Sequence, residues 1–160
     1  MIKFNFHGFK NTNKQRDALL NESEHRFRET LENLPLIAVS LDMQGRVIFC
    51  NDFTLTLTGW TGNNLLGKNW FDTVIHSEPK VKQIFLEGII KGDIPAHFEN
   101  HILTHTGEQR LIAWSNTVLR DFRGNVAGIA SIGVDITERS RQEDELNLIK
   151  LKLELALRSS

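Results

Sequence analysis

Cysteine is scarce in this sequence, since Cys50 is the only one among 160 residues. A single thiol can form neither an internal disulfide nor a cysteine-rich metal site. A chain without disulfides fits a reducing compartment, so we predict a cytoplasmic location. Cys50 itself falls in a predicted strand, where we expect it to act as a small buried hydrophobic residue.

The sequence also lacks a charge excess and a long apolar run. Its 19 basic and 20 acidic residues give a net charge of -1, which provides no electrostatic signal for binding nucleic acid or an anionic membrane. The longest nearly apolar run, residues 34–41, is far shorter than the roughly 20 residues of a membrane span. The first ten residues lack the continuous apolar segment of a secretory signal. We therefore expect that the chain binds neither nucleic acid nor an anionic membrane surface and that it contains no membrane span.

The remaining composition, 40% hydrophobic and 24% charged, fits one compact domain with flanking segments. Residues 1–13 are polar and lack periodicity, so they predict a loose tail. Residues 14–34 predict an amphipathic helix that Pro35 ends, because apolar residues recur there at helical spacing. These residues are Leu20, Phe27, Leu31 and Leu34.

Residues 35–137 predict an α+β core. Glycine-containing turns separate two short strands at its start and three longer strands at its end, with several helices between them. The economical packing is a five-stranded antiparallel sheet with helices on one face. The predicted strands are 36–41, 46–50, 96–104, 109–119 and 126–136, and the predicted helices are 53–59, 61–66, 70–75 and 78–91.

Residues 138–160 predict a second amphipathic helix with coiled-coil character. Ser140 to Glu143 has the pattern of a capping box, and Thr137 could cap an earlier turn. One apolar stripe comprises Leu146, Ile149 and Leu153, and a second comprises Leu148, Leu151 and Leu155. Such a broad apolar face needs a partner. We predict a homodimer through the terminal helices, with Leu20, Phe27 and Leu31 contributing from the first.

Three segments, in this order and spacing, carry a resemblance to a known family: LDMQGRVIFCND, LTLTGWTGNNLLGKN, and LTHTGEQRLIAWSNTVLRDFRGNVAGIASIGVDITER. Together they resemble a PAS domain with its C-terminal PAC motif, over about Phe27 to Leu146. The resemblance implies a sensory or dimerisation module of a larger signalling protein, commonly a histidine kinase or diguanylate cyclase. Its effector domain would lie C-terminal to this chain.

The strand that ends at Asp135-Ile136-Thr137 runs directly into the last helix. The resemblance implies that a ligand or a redox state alters the sheet and that this junction transmits the change. We expect Asp135 to fix the angle between strand and helix by pairing with Arg139 or with a basic residue of a loop.

Small residues on the last predicted strand, namely Gly128, Ala130, Ser131 and Gly133, leave room for a cavity between sheet and helices. A non-covalently bound flavin or a small metabolite would need an aromatic wall and polar groups. Core packing and turn capping explain the same residues more simply. The candidate lining residues are Asn69, Trp70, Ile84, Phe98, Asn116 and Ser131.

Two well-known cofactor chemistries of PAS domains find no support in the sequence. Gly67-Lys68-Asn69 resembles the start of the flavin-adduct motif, but Trp70 and Phe71 stand where that motif has its reactive cysteine and arginine. Haem-binding PAS domains carry a histidine on the long helix, whereas residues 77–96 contain none. His76 is the nearest candidate, and a loop or capping role explains it as well.

Metal binding by histidines is also disfavoured by spacing. His97, His101 and His105 share one side of a predicted strand, yet neighbours four residues apart on a strand are about 13 Å apart. Ligands of one ion must converge to about 2 Å from it. We expect these histidines to line the exposed face of the sheet with Glu99, and a site shared between subunits remains an alternative.

The sequence around His25, HRFRET, does not match a phospho-accepting kinase histidine, and no phosphate-binding loop or GGDEF-like string is present. We therefore predict that this chain is not an enzyme. The alternative is a small α+β enzyme in which Asp72 orients His76 as a base. An exposed pair four residues apart on a helix is the ordinary explanation of these two residues.

Overall fold

The computed structural model describes residues 7–75 and 78–159, except for the side chains of residues 7–12 and 31. The chain divides into two compact units, Met1–Leu34 and Pro35–Ser160. Within the described residues, no helix is both long and apolar enough to cross a membrane.

The first unit contains helix α1, which runs from His7 to Asn33. It begins earlier than the predicted start at Lys14, so the expectation of a loose tail is wrong for residues 7–13. The prediction relied on apolar periodicity. A helix can also extend through a polar segment, provided that the segment contains no proline and no glycine beyond the first turn. Leu20 and Phe27 are exposed within this unit. The side chain of Leu31 lies outside the described part of the chain.

The second unit is built on one antiparallel sheet, as predicted. Its strands lie in the order β2-β1-β5-β4-β3, so the first and last segments of the core meet at the centre of the sheet. The strands are β1 (Ile37–Asp42), β2 (Val47–Cys50), β3 (His97–Leu103), β4 (Gln109–Arg120) and β5 (Val126–Asp135).

Four helices connect β2 to β3 and cover the inner face of the sheet. Asn51 caps the first of them by accepting a hydrogen bond from the backbone N–H of Thr54, and Gly59 ends it with a φ of 72°. Gly92 ends the longest with a φ of 65°. Both glycines adopt left-handed backbone conformations that residues with a Cβ atom rarely adopt. The helices are α2 (Asp52–Thr58), α3 (Gly62–Leu65), α4 (Trp70–Thr73) and α5 (Pro79–Lys91).

The core lies between the sheet and α2–α5. Strand residues alternate between its two faces, so Ile37, Val39 and Leu41 of β1 pack inward with Ile112 and Trp114 of β4. Trp70 and Phe71 of α4 and Phe85 of α5 close the core from the other side. Burial of these apolar side chains is the main force that holds the helices on the sheet.

Helix α6, from Thr137 to Arg158, follows β5 with a single intervening residue. Ser140 lies inside this helix and its backbone N–H donates to the carbonyl oxygen of Ile136 at 2.8 Å. The predicted capping box at Ser140 is therefore not used. The apolar side chains of α6 are exposed in the chain as described: Leu146, Leu148, Ile149, Leu151, Leu153, Leu155 and Leu157.

Candidate functional site

A cavity lies between the inner face of the sheet and helices α4 and α5. Its volume is about 60 Å³, which is room for about four to six water molecules. Trp70 and Trp114 meet edge to face beside it, with ring centroids 6.0 Å apart. The described residues that line it are Val39, Leu41, Trp70, Phe71, Ile75, Val81, Ile84, Phe85, Ile94, Pro95, Phe98, Asn100, Trp114, Asn116, Ile129 and Ser131.

Two polar side chains of the cavity wall form a pair across β4 and β5. The register places Asn116 opposite Ser131. The Asn116 Nδ2 donates to the carbonyl oxygen of Pro95 at 3.0 Å. Because that carbonyl can only accept, the amide orientation is fixed and Asn116 Oδ1 faces Ser131 Oγ. The Ser131 hydroxyl donates to this oxygen at 2.7 Å.

A third polar residue of the wall, Asn100 on β3, positions an indole ring. Its Oδ1 accepts from Trp114 Nε1 at 2.5 Å, and its Nδ2 donates to the carbonyl oxygen of His101 at 3.3 Å. Asn100 is only 4% exposed, so these hydrogen bonds satisfy an amide that would otherwise be costly to bury. The Trp114 ring is thereby held in one orientation.

Five of the six residues predicted to line a pocket do line this cavity: Trp70, Ile84, Phe98, Asn116 and Ser131. The sixth, Asn69, does not. Its side chain caps α4 by accepting from the backbone N–H groups of Phe71 and Asp72, and it donates to the carbonyl oxygen of Gln44 at 2.9 Å. A short polar side chain before a helix is favoured as a cap, and here that role excludes contact with the cavity.

The small residues of β5 create less open space than the sequence suggested. A Cβ on Gly128 would lie 2.1 Å from the carbonyl oxygen of Leu41, and one on Gly133 would lie 2.6 Å from the Trp114 ring. Neighbouring atoms therefore occupy the space above both glycines. Of the four small residues, only Ser131 lines the cavity.

The candidate catalytic pair is not assembled at the cavity by the described residues. Asp72 is exposed, and its Oδ1 accepts from Lys82 Nζ at 2.8 Å on the surface. His76 lies outside the described residues. None of the described residues that line the cavity carries an ionisable side chain, so those residues provide no group for general acid–base catalysis.

The three histidines near β3 have separate surroundings. His97 is exposed, and His101 Nδ1 lies 3.0 Å from Glu78 Oε1. His105 follows the strand and meets the Trp60 ring edge to face, with centroids 4.6 Å apart. Among the described residues, no group of three or more histidine, cysteine, aspartate or glutamate side chains could hold a metal ion.

Cys50 is half-buried and packs against the core. Burial, together with the negative charge of Asp52, raises the pKa of its thiol. The thiol therefore stays protonated at neutral pH and is a poor nucleophile.

The junction between β5 and α6 is held by both oxygens of Asp135. Its Oδ1 accepts from the backbone N–H of Thr137 at 3.0 Å and from the Thr137 hydroxyl at 2.5 Å. Its Oδ2 lies 3.1 Å from Arg110 Nε at the start of β4. Thr137 Oγ1 in turn accepts from the backbone N–H of Leu111 at 2.9 Å. The start of α6 is thereby bonded to two strands of the sheet.

Arg139 takes no part in these contacts. Its Nε donates to Glu143 Oε1 at 3.1 Å on the exposed side of α6. The sequence did not identify Arg110 as a partner of Asp135. Arg110 is the second residue of β4 and pairs with Asp135 at the end of β5. A signal existed in principle, because antiparallel pairing of β4 with β5 places Ile112 opposite Asp135. That signal requires the strand register, which the sequence alone did not provide.

Comparisons with known proteins agree with this architecture. The PAS fold family matches residues 31–141 of the chain. The virulence sensor protein BvgS of Bordetella bronchiseptica is 26% identical over 149 residues, which cover 91% of this chain. The chain spans only about 12% of the length of that relative.

Two solved structures show the same fold. The PAS domain of an HTR-like protein from Haloarcula marismortui has a TM-score of 0.62 at 20% identity, covering 77% of this chain and 99% of that one. The PAS domain of BvgS from Bordetella pertussis has a TM-score of 0.53 at 23% identity, covering 82% and 98%. With more than half of its residues matched by the family, this chain belongs to the PAS family.

Proposed function

We propose that this chain is a sensory module that binds a small molecule in its cavity and transmits binding through the junction at Asp135-Ile136-Thr137 to helix α6. One observation carries the proposal: β5 both lines the cavity, at Ser131, and ends at the junction, at Asp135. These two residues are four positions apart on one strand, or about 13 Å. A shift of β5 caused by a ligand therefore reaches the start of α6 directly.

The output side of the proposal is a dimer joined through the terminal helices. Leu146, Ile149 and Leu153 follow the spacing of a coiled coil, and they are 52%, 54% and 60% exposed in the single chain. A continuous exposed apolar stripe of this kind is typical of an interaction surface. An effector domain of the histidine kinase or diguanylate cyclase class would follow α6, and the whole protein would act in the cytoplasm. The similarity to a virulence sensor supports a signalling role.

The first experiment is an absorption spectrum of the purified protein, followed by mass spectrometry of molecules released on denaturation. A bound flavin or haem is visible in the spectrum, and a colourless metabolite is found by mass. Molecules that bind are then tested by hydrogen exchange at residues 136–140. We expect a bound ligand to change exchange there, with helix α2, none of whose residues lines the cavity, as the control.

Two results would contradict the proposal. If broad screening by thermal shift finds no molecule that binds the cavity, the chain is not a ligand sensor. If molecules bind and raise the melting temperature but leave exchange at residues 136–140 unchanged, the junction does not transmit binding.

A further inference from the structure

We infer that the cavity selects an uncharged ligand that presents a hydrogen-bond acceptor and an adjacent donor, as a carboxamide does, on a small apolar body. This inference rests on the proposed function and specifies the chemical class of the molecule sensed. Its basis is the hydrogen bonding that the cavity wall leaves unused, together with the absence of charge among the described lining residues.

The hydrogen-bonding capacity of Asn116 and Ser131 is only partly used within the protein. Asn116 has two amide hydrogens, of which one is donated to Pro95. Ser131 donates its only hydrogen to Asn116, so its oxygen can act only as an acceptor toward a ligand. One donor and one acceptor therefore stand side by side on neighbouring strands. A carboxamide complements such a pair with its carbonyl oxygen and its N–H group.

The lack of charged side chains among the described lining residues disfavours charged ligands of the same shape as a carboxamide. A carboxylate of the same shape would lose its hydration and meet no cation, because the described lining residues are aromatic, aliphatic or uncharged polar. Burying an unpaired charge is far more costly than burying an amide that is hydrogen-bonded. An ammonium group meets the same obstacle, since no carboxylate lines the described wall.

The volume limits the size of the ligand. A cavity of about 60 Å³ lies well below the roughly 300–1,000 Å³ of pockets that enclose drug-sized molecules. In this conformation the cavity fits a short branched or cyclic body of about four to six heavy atoms. A flavin would require α5 to move away from the sheet.

Three probes of nearly equal size test the class: isobutyramide, 3-methylbutan-2-one and isobutyrate. The first offers an acceptor and a donor, the second offers an acceptor only, and the third is an anion at neutral pH. Binding is measured by NMR titration of the intact chain. The indole N–H signals of Trp70 and Trp114 report on the cavity, and that of Trp60, which does not line it, is the internal control.

We expect isobutyramide to bind at least about tenfold more tightly than isobutyrate, with the ketone between them, and to shift the Trp70 and Trp114 signals but not that of Trp60. Asn116→Ala should weaken the binding of both isobutyramide and the ketone about tenfold, because the carbonyl oxygen of each probe loses its donor. Ser131→Ala provides a second, smaller change in case the first variant is unstable. Ser115→Ala, an exposed neighbour on β4, is the matched control and should bind like the parent.

The inference is overturned if isobutyrate binds as tightly as the amide, if both cavity variants bind the amide like the parent, or if only the Trp60 signal moves. These outcomes differ from a failure of the proposed function. Tight amide binding without altered exchange at residues 136–140 would uphold the ligand class and contradict transmission. A charged ligand that binds and changes exchange at residues 136–140 would contradict the ligand class and uphold transmission.

Discussion

Single residues carry the connections between elements in this chain, and Asp135 is the clearest example. One carboxylate oxygen accepts from the backbone N–H of Thr137, the first residue of α6, and the other pairs with Arg110 on β4. The group is 18% exposed, so its interactions are less screened than those of a surface ion pair. Asp135 therefore links the angle of the helix to the position of a strand.

Replacing Asp135 with alanine should destabilise the junction without unfolding the core. We expect the free energy of unfolding to fall by about 1–3 kcal/mol, because the hydrogen bonds from Thr137 and a partly buried charge pair are lost together. Amide exchange at residues 137–140 should accelerate. In the full-length protein, the same change should uncouple output from input.

Arg139→Ala is the matched control for this prediction. Arg139 pairs only with exposed Glu143 among the contacts described here, so its loss should change stability by less than about 0.5 kcal/mol. Equal effects of Asp135→Ala and Arg139→Ala on exchange would contradict the assigned role of Asp135.

Asp42, in the turn between β1 and β2, should make stability depend on pH. Burial opposes ionisation of its carboxyl, but hydrogen bonds from the backbone N–H groups of Arg46 and Gln44 and from the Arg46 guanidinium outweigh it and lower the pKa. A carboxyl with a lowered pKa in the folded state stabilises the fold above its unfolded pKa of about 3.9, and this contribution is lost as pH falls through the folded value.

We therefore expect Asp42→Asn to reduce the free energy of unfolding by about 0.5–2 kcal/mol at pH 7. The difference from the parent should shrink as the pH is lowered below about 4. Urea denaturation of both proteins at several pH values measures this. A difference that stays constant from pH 7 to pH 2.5 would show that the charge of Asp42 is not responsible.

At the scale of elements, the glycine-containing turns and the alternating strands were predictable, because their signals are local. All five strands appear close to their predicted positions, and Gly59 and Gly92 end helices. The errors arose where a local signal competed with a distant one. The Ser140 capping box is a valid local pattern, but α6 already begins at Thr137, whose backbone N–H and hydroxyl donate to Asp135.

The candidate site was predictable to the extent that its residues alternate along strands. Phe98, Asn116 and Ser131 share the inner face of the sheet because side chains alternate along each strand, and the register of the strands brings them together. The carbonyl oxygen of Pro95 and the guanidinium of Arg110 were not foreseen, because their contacts depend on the register between strands. For Asn69 the sequence left both turn capping and pocket lining open, because the same amide suits a pocket and a helix start.

The packing of β4 against β5 provides a test at this scale. Gly133→Ala would place a methyl group 2.6 Å from the Trp114 ring, and Asn100 holds that ring in place. We expect a loss of about 1–3 kcal/mol in the free energy of unfolding, which is typical of overpacking. Chemical denaturation measures it.

Gly62→Ala is the control for this substitution. Gly62 lies in helix α3, and an added methyl group would meet only Leu55 Cδ1 at an ordinary 3.8 Å. This change should be neutral or stabilise by up to about 1 kcal/mol. A parent-like stability of Gly133→Ala would contradict the close contact with Trp114.

At the scale of the whole molecule, the apolar surface of α6 exceeds what a single chain covers. It has seven exposed leucine and isoleucine side chains, each at least 51% exposed, and six of them form the two stripes. A second copy of the chain would cover one stripe by coiled-coil packing. This arrangement would place both junctions at the same end of the dimer.

We expect light scattering to give a dimer mass for residues 1–160 and a monomer mass for a version that ends at Thr137. The terminal α6 stripes supply the apolar area that the dimer buries, so removing them should raise the dissociation constant at least about 100-fold. Glu154→Ala, a change outside both stripes, should leave the dimer intact. Equal monomer masses for the long and short versions would refute dimerisation through α6.

The tryptophans around the cavity have an optical consequence. The chain contains three tryptophans and no tyrosine, so its ultraviolet emission comes almost entirely from indole rings. Two of these, Trp70 and Trp114, stand edge to face beside the cavity. A molecule that enters would displace water or alter the contact between the two rings, and the emission wavelength and intensity would change. The protein therefore contains its own fluorescent reporter of occupancy, and ligand screening needs no label.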